Sequence, residues 1–202
     1  VRGVKTMMDR ERELQLIARL KAHDGEAFDE IYAAFHARLF SFLARLAQRR
    51  DVAEDLAEET WLRLVTHAPG LRDDSRLGPW LFTVARNLHA SYCRSRMLDF
   101  EATAVLHLWP VPPAEPSPFD TASGTELQRR VDAAVATLPG AYREALLLVA
   151  IDGLTPQEAA VMCGVKPETM RQRISRARAM LAKRLEGSAA AAAVPLMKEV
   201  LP

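Results

Sequence analysis

Two cysteines, Cys93 and Cys163, are all that 202 residues offer for disulfide chemistry. One pair builds no disulfide framework, which points to a reducing, cytosolic setting. No apolar run approaches the roughly 20 residues of a membrane span. The opening VRGVKTMMDRERELQ has no apolar core of the signal-peptide kind, so the chain is expected to work in the cytoplasm, without direct membrane insertion. No strand-like alternation occurs, which excludes a sheet and leaves an all-α fold. The five histidines are scattered, and no Ser-His-Asp set, Gly-rich phosphate loop or metal-ligand set emerges. His89 and Cys93, four apart, supply half a zinc site, and no second pair follows. The expectation is therefore no enzyme, no cofactor and no metal. The net charge is only +1, which excludes a global polycation.

What is present is local. Residues 9–60 hold 12 acids and 8 bases, residues 61–97 hold 6 bases and 2 acids, and residues 166–187 hold 7 bases and 2 acids. Such blocks say more about partners than the sum does. Apolar residues recur at helical spacing along Arg10 to Ala22, from Phe28 to Leu46, from Ala53 to Val65, and from Leu77 to Leu88. Asp24 is placed to cap the second of these helices. Residues 67–79, HAPGLRDDSRLGP, read as a loop. Residues 98–123 carry four acids, no base, and five prolines in PVPPAEPSP, which reads as an extended linker. The expected division is a helical domain over 9–97, a linker over 98–123, a second helical domain over 124–187, and a tail of unassigned role over 188–202. The second domain reads as four helices, near 125–137, 140–151, 155–163 and 167–186.

The most specific stretch is TPQEAAVMCGVKPETMRQRISRAR, from Thr155. Thr155 and Glu158 make a capping box, with Pro156 at the first helical position. Gly164 suits the left-handed turn that ends a short helix, and Pro167 starts a longer one. That is a helix-turn-helix. In the longer helix, Met170, Ile174, Ala177, Leu181 and Leu185 form one apolar ridge. Thr169, Gln172, Arg173 and Arg176 lie on another side, near the end that a recognition helix presents to the major groove. Arginine and glutamine make bidentate contacts to base edges. Arg171, Arg178 and Lys183 flank them and suit phosphates. A solvated basic face is the bland alternative, and the capped turn before it favours duplex DNA.

The third helix is the reverse. Asp51, Glu54, Asp55, Glu58 and Glu59 crowd its first half, more acid than the helix dipole needs, which suggests a basic protein partner. DVAEDLAEETWLRLVTHA, then LGPWLFTVARNLHASYCRSR, then a linker, then LPGAYREALLLVAIDGLTPQEAAVMCGVKPETMRQRISRARAMLAKRL resemble an extracytoplasmic-function (ECF) sigma factor of the sigma-70 superfamily, over about residues 24–187. The resemblance implies two helical domains that bind core RNA polymerase, through its β′ clamp helices and β subunit, and promoter DNA. It assigns clamp docking to Asp55, Glu58, Glu59 and Leu62. It assigns capture of a flipped base and strand contact at the −10 element to the 67–79 loop and the helix after it. The residues carried there are Arg76, Arg86, Asn87, Arg94 and Arg96. Trp80 offers a stacking surface, but its place among Leu77, Leu81 and Val84 assigns it to the core. The second domain would read the −35 element. The resemblance also implies an anti-sigma factor that holds the protein inactive. A stand-alone helix-turn-helix regulator, dimerising through the first domain, is the competing expectation.

Overall fold

The computed structural model describes residues 9–104, 126–151 and 153–186. Eight α-helices account for nearly all of them: α1 Arg10–Lys21, α2 Gly25–Ala47, α3 Arg50–His67, α4 Leu77–Ala104, α5 Glu126–Ala136, α6 Gly140–Ile151, α7 Pro156–Cys163 and α8 Pro167–Glu186. No strand occurs among the described residues. Each expected helix is present, with most ends within a few residues of the sequence reading and α4 running further. No helix among the described residues is long and apolar enough to cross a membrane.

Helix α2 is the axis. Asp24 caps it, its carboxylate accepting from the Glu26 amide at 2.9 Å. It ends at Gln48, whose φ of 59° turns the chain directly into α3. Ile31, Leu39, Phe42 and Leu43 on α2 are fully buried. Helix α2 packs against α1, α3 and α4 of the first helical group and against α5 and α6 of the second. The apolar core therefore continues from the first helical group into the second, where Leu146, Leu147, Leu148, Met170 and Leu181 extend it.

Three expectations about the first group need correction. The loop reading over 67–79 is too long, because a 3-10 turn takes Ala68–Gly70 and α4 begins at Leu77. Pro79 lies in the first turn of α4, where a missing N–H costs nothing. The inward face of α4 is also broader than the expected stripe. Phe82 is fully buried and meets Phe42 edge-on, with ring centroids 5.3 Å apart. Conversely, Val65 and Tyr32 are exposed, while Val52, in the first turn of α3, is buried. Trp80 is half-buried and packs against the core, as expected. Helix α4 runs to Ala104, past the expected boundary at 97. The rest of the expected linker and the 188–202 tail lie outside the described residues.

Candidate nucleic-acid and protein interfaces

The turn between α7 and α8 is built by complementary local signals. The Thr155 hydroxyl accepts from the Glu158 amide, and the Glu158 carboxylate accepts from the Thr155 amide at 2.8 Å. Two otherwise orphaned donors are thus satisfied reciprocally. Gly164 has φ +62°, and the following amide of Val165 donates back to the Ala160 carbonyl at 3.0 Å. Ala159 and Ala160 are buried where α7 packs against α8. Met170, Ile174, Ala177, Leu181 and Leu185 seal the ridge of α8 to 5% exposure or less.

Sealing that ridge fixes what remains outward. Gln172 and Arg176 are exposed, and Thr169 and Arg173 are half-buried at the edge of the same surface. Arg176 makes one long hydrogen bond, 3.4 Å, to the Tyr142 hydroxyl. Arg171 pairs with Glu168 at 2.7 Å, in an exposed i,i+3 contact. Exposed pairs of that kind are worth little and exchange readily for a phosphate. Arg178 and Lys183 are exposed as well. Thr169, Gln172, Arg173 and Arg176 therefore share one solvent-facing arc of α8 with Lys183, while Arg171 and Arg178 are exposed on the far side of the apolar ridge.

Helix α3 presents a different surface. Glu59 pairs with Arg63 and Glu54 with Arg50, both at 2.8 Å. Asp55 and Glu58 have no ion-pair partner among the described residues. Leu62 is 61% exposed, unusual for leucine beside an apolar core, and it stands among these acids. Next to them, a groove of about 430 Å³ lies between α2 and α3, floored by Tyr32, His36, Phe40 and Trp61 and rimmed by Glu54 and Glu58. Tyr32 stacks on His36 with centroids 4.4 Å apart.

The five candidates on and before α4 do not form one cluster. Asn87 and Arg94, seven residues apart, share an exposed face, and Arg96 is exposed further along α4. Arg76 and Arg86 turn elsewhere. Arg76 donates to Glu158 of α7 at 2.6 Å, and Arg86 donates to Glu144 of α6 at 2.8 Å. Both pairs join the first helical group to the second. A third pair is deeper: Arg45 of α2 donates to Asp132 of α5 at 2.8 Å, with both side chains about 95% buried (5% and 4% exposed). Arg45 also donates to the Ser41 hydroxyl. Nearby, Arg143 of α6 donates to the carbonyls of Leu46, Ala136 and Leu138, which closes the last turns of α2 and α5 with one guanidinium. Burial pulls its pKa below the ordinary arginine value.

The two thiols sit near this seam. Burial, helped by the Glu144 carboxylate, pushes Cys163 up to about 11, and burial also raises Cys93. Thiols held protonated are poor nucleophiles and poor metal ligands. His89 Nε2 lies 3.6 Å from Cys93 Sγ, and burial lowers the His89 pKa. Among the described residues no group of three or more His, Cys, Asp or Glu side chains converges on a point that a metal ion would occupy.

Several contributing residues escaped the sequence reading, although a signal was there. Glu13 stands at an apolar position of α1, in phase with Leu16, Ile17 and Leu20. Arg45 interrupts the apolar run FSFLARLA, and Asp132 falls between Val131 and Val135. A charge inside an apolar stripe announces a buried partner. It does not say which partner, because the pairs span 64 and 87 residues.

Family profiles match the two helical groups separately. The family profile for Sigma-70 region 2 matches residues 31–98, and the profile for Sigma-70, region 4, matches residues 128–181. The chain is 35% identical over 153 residues to the ECF RNA polymerase sigma factor EcfG of Rhodopseudomonas palustris, covering 76% of this chain and 81% of that one. It is 31% identical to the ECF RNA polymerase sigma factor SigM of Bacillus subtilis, covering 76% and 91%. Among solved structures it resembles CnrH in complex with the cytosolic domain of CnrY, with a TM-score of 0.63 at 20% identity, covering 88% of this chain and 99% of that one. It also resembles the sigma factor RpoE in complex with the anti-sigma factor NepR from Bartonella quintana, with a TM-score of 0.59 at 24% identity, covering 88% and 96%. At those identities the likeness is one of fold.

Proposed function

The chain belongs to the ECF RNA polymerase sigma factors, and on that premise we propose how its surfaces divide the work of promoter-directed initiation. Helix α8 reads the −35 element through Thr169, Gln172, Arg173 and Arg176, with Arg171 and Arg178 on phosphates. Helix α3 docks on the β′ clamp helices of core polymerase through Asp55, Glu58, Glu59 and Leu62. The turn before α4 and the exposed side of α4 meet the −10 element, with Asn87, Arg94 and Arg96 on the separated strand. Arg76 and Arg86 join them once they leave Glu158 and Glu144. The working place is the cytoplasm, and an anti-sigma factor is the expected regulator, by analogy with the CnrY and NepR complexes.

The observation that carries this reading is the open polar face of α8 behind a fully sealed apolar ridge, held by a capped glycine turn. Run-off transcription with core polymerase on a genomic promoter library tests it. The expected result is promoter-specific transcripts that require both proteins, sharing one −35 and one −10 motif. Tight, sequence-specific duplex binding without polymerase, and no transcription with it, would overturn the reading in favour of a stand-alone regulator.

A further inference from the structure

Helix α1 lies before both profile matches; Arg12 and Arg19 pair with the start of α2, while Arg10, Glu13 and Lys21 all reach the segment that leads into α4. Arg10 donates to the Ser75 carbonyl at 2.7 Å, to the Asp74 carbonyl at 2.8 Å and to the Glu13 carboxylate at 2.8 Å. The second oxygen of Glu13 accepts from the amide of Leu77 at 2.6 Å, the first residue of α4. Glu13 is buried and Leu77 fully so, which makes this bond hard to replace with water. A carboxylate at a helix N-terminus also complements the dipole. Lys21 reaches the same segment from the other end of α1, 2.5 Å from the Asp73 carboxylate.

Apart from the Arg10–Glu13 pair within α1, these contacts fall on residues 73–77. Within the segment itself, the Ser75 amide donates to the Arg72 carbonyl and Arg72 pairs with Asp74. Those local bonds set a turn, but they do not fix where it stands relative to α4. The planar fork of Arg10, anchored by Glu13, does both.

We infer that Arg10 and Glu13 are positioning residues for −10 recognition: they hold the 71–76 turn and the first turn of α4 in the one relative placement that receives an unpaired base. This rests on the proposed role of that turn at the −10 element. A receiving pocket displaced by about 1 Å loses much of its selectivity. Neither residue needs to touch DNA.

The test uses holoenzyme assembled with full-length chain and a promoter library randomised at the −10 element. Arg10→Ala is expected to flatten the −10 base preference several-fold and to lower open-complex yield. Core-polymerase affinity, −35 preference and the thermal midpoint should stay near those of the unaltered chain. Arg10→Lys should not restore the preference, because one ammonium cannot span both carbonyls and the carboxylate in the same geometry. Glu13→Gln keeps an acceptor for the Leu77 amide and should fall between. Unchanged −10 preference in Arg10→Ala overturns the inference, as does a loss that extends equally to −35 preference and core binding. A companion chain with residues 72–75 replaced by Ser-Gly-Ser-Gly separates the two layers. If it alters −10 preference while Arg10→Ala does not, the bracing falls and the turn's role stands. If neither alters it, the turn's role falls as well.

Discussion

Asp132 and Arg45 are each about 95% buried, so removing Asp132 takes the facing carboxylate from a guanidinium that stays inside with its bonds to Ser41. Asp132→Ala is expected to cost about 3–5 kcal/mol in urea denaturation, because a buried guanidinium loses its carboxylate. Replacing both partners together, Arg45→Met with Asp132→Leu, should be close to neutral, since the desolvation of two charges disappears with their attraction. A double variant as unstable as the single one would show that the pair is worth more than its desolvation. At the reading face the scale is smaller and the readout differs. Arg176→Ala should cost about 1–3 kcal/mol of promoter binding and relax preference at one −35 position. Arg171→Ala should weaken all sequences alike, which footprinting on a −35 library distinguishes. The exposed residues were legible in the sequence because helical phase alone separates Arg176 from Ala177. The buried pairs were half legible: a charge in an apolar stripe could be seen, and its partner could not.

At the scale of elements, α7 illustrates how local signals suffice. Thr155, Pro156, Glu158, Gly164 and Pro167 each specify one end of one helix, and all five act as their residue types suggest. Thr155→Ala should cost about 0.5–2 kcal/mol through the lost cap. Gly164→Ala should cost about 1–2 kcal/mol from its left-handed φ alone, because an added Cβ there meets nothing within 4 Å. The bond from the Thr155 amide, with further help from the Thr155 hydroxyl and Arg76, holds the Glu158 carboxyl below the ordinary carboxylate range. A depressed carboxyl stabilises the fold above its unfolded pKa and stops doing so as the pH falls through the folded one. Stability of the unaltered chain should therefore fall more steeply into acid than that of Glu158→Gln, measured by denaturation from neutral pH downward. Helix α3 is tested by charge: Asp55→Lys with Glu59→Lys should weaken core-polymerase capture without changing helicity. Intact capture would remove those acids from the interface. The start of α4 was not legible at this scale. Its opening amide is satisfied by Glu13, a residue of another helix, so LRDDSRLGP read correctly as turn-forming while concealing where the turn stops.

At the scale of the whole molecule, the two helical groups are closed on one another through α2 and α6 and, among the described residues, through three ion pairs. Nothing in the local pattern announces this, because each group reads as complete with its own stripe of apolar residues. Two of the three arginines, Arg76 and Arg86, are also those proposed to meet the −10 element. Glu158→Gln keeps the capping box and removes the charge opposite Arg76. Combined with Glu144→Gln, it should enlarge the radius of gyration in solution scattering and lower the polymerase concentration needed for half-maximal transcription. The same radius and the same half-point in both proteins would show that the closed pairs carry no weight.

Those pairs also have a meaning in terms of mass action. When only the open fraction of a chain binds, its apparent dissociation constant is the intrinsic one divided by that fraction. On the proposed division of surfaces, Glu144 and Glu158 would set that divisor while Gln172, Arg173 and Arg176 would set which promoter is chosen. The threshold at which this factor competes for polymerase can thus be tuned, by selection or by design, without rewriting a single promoter.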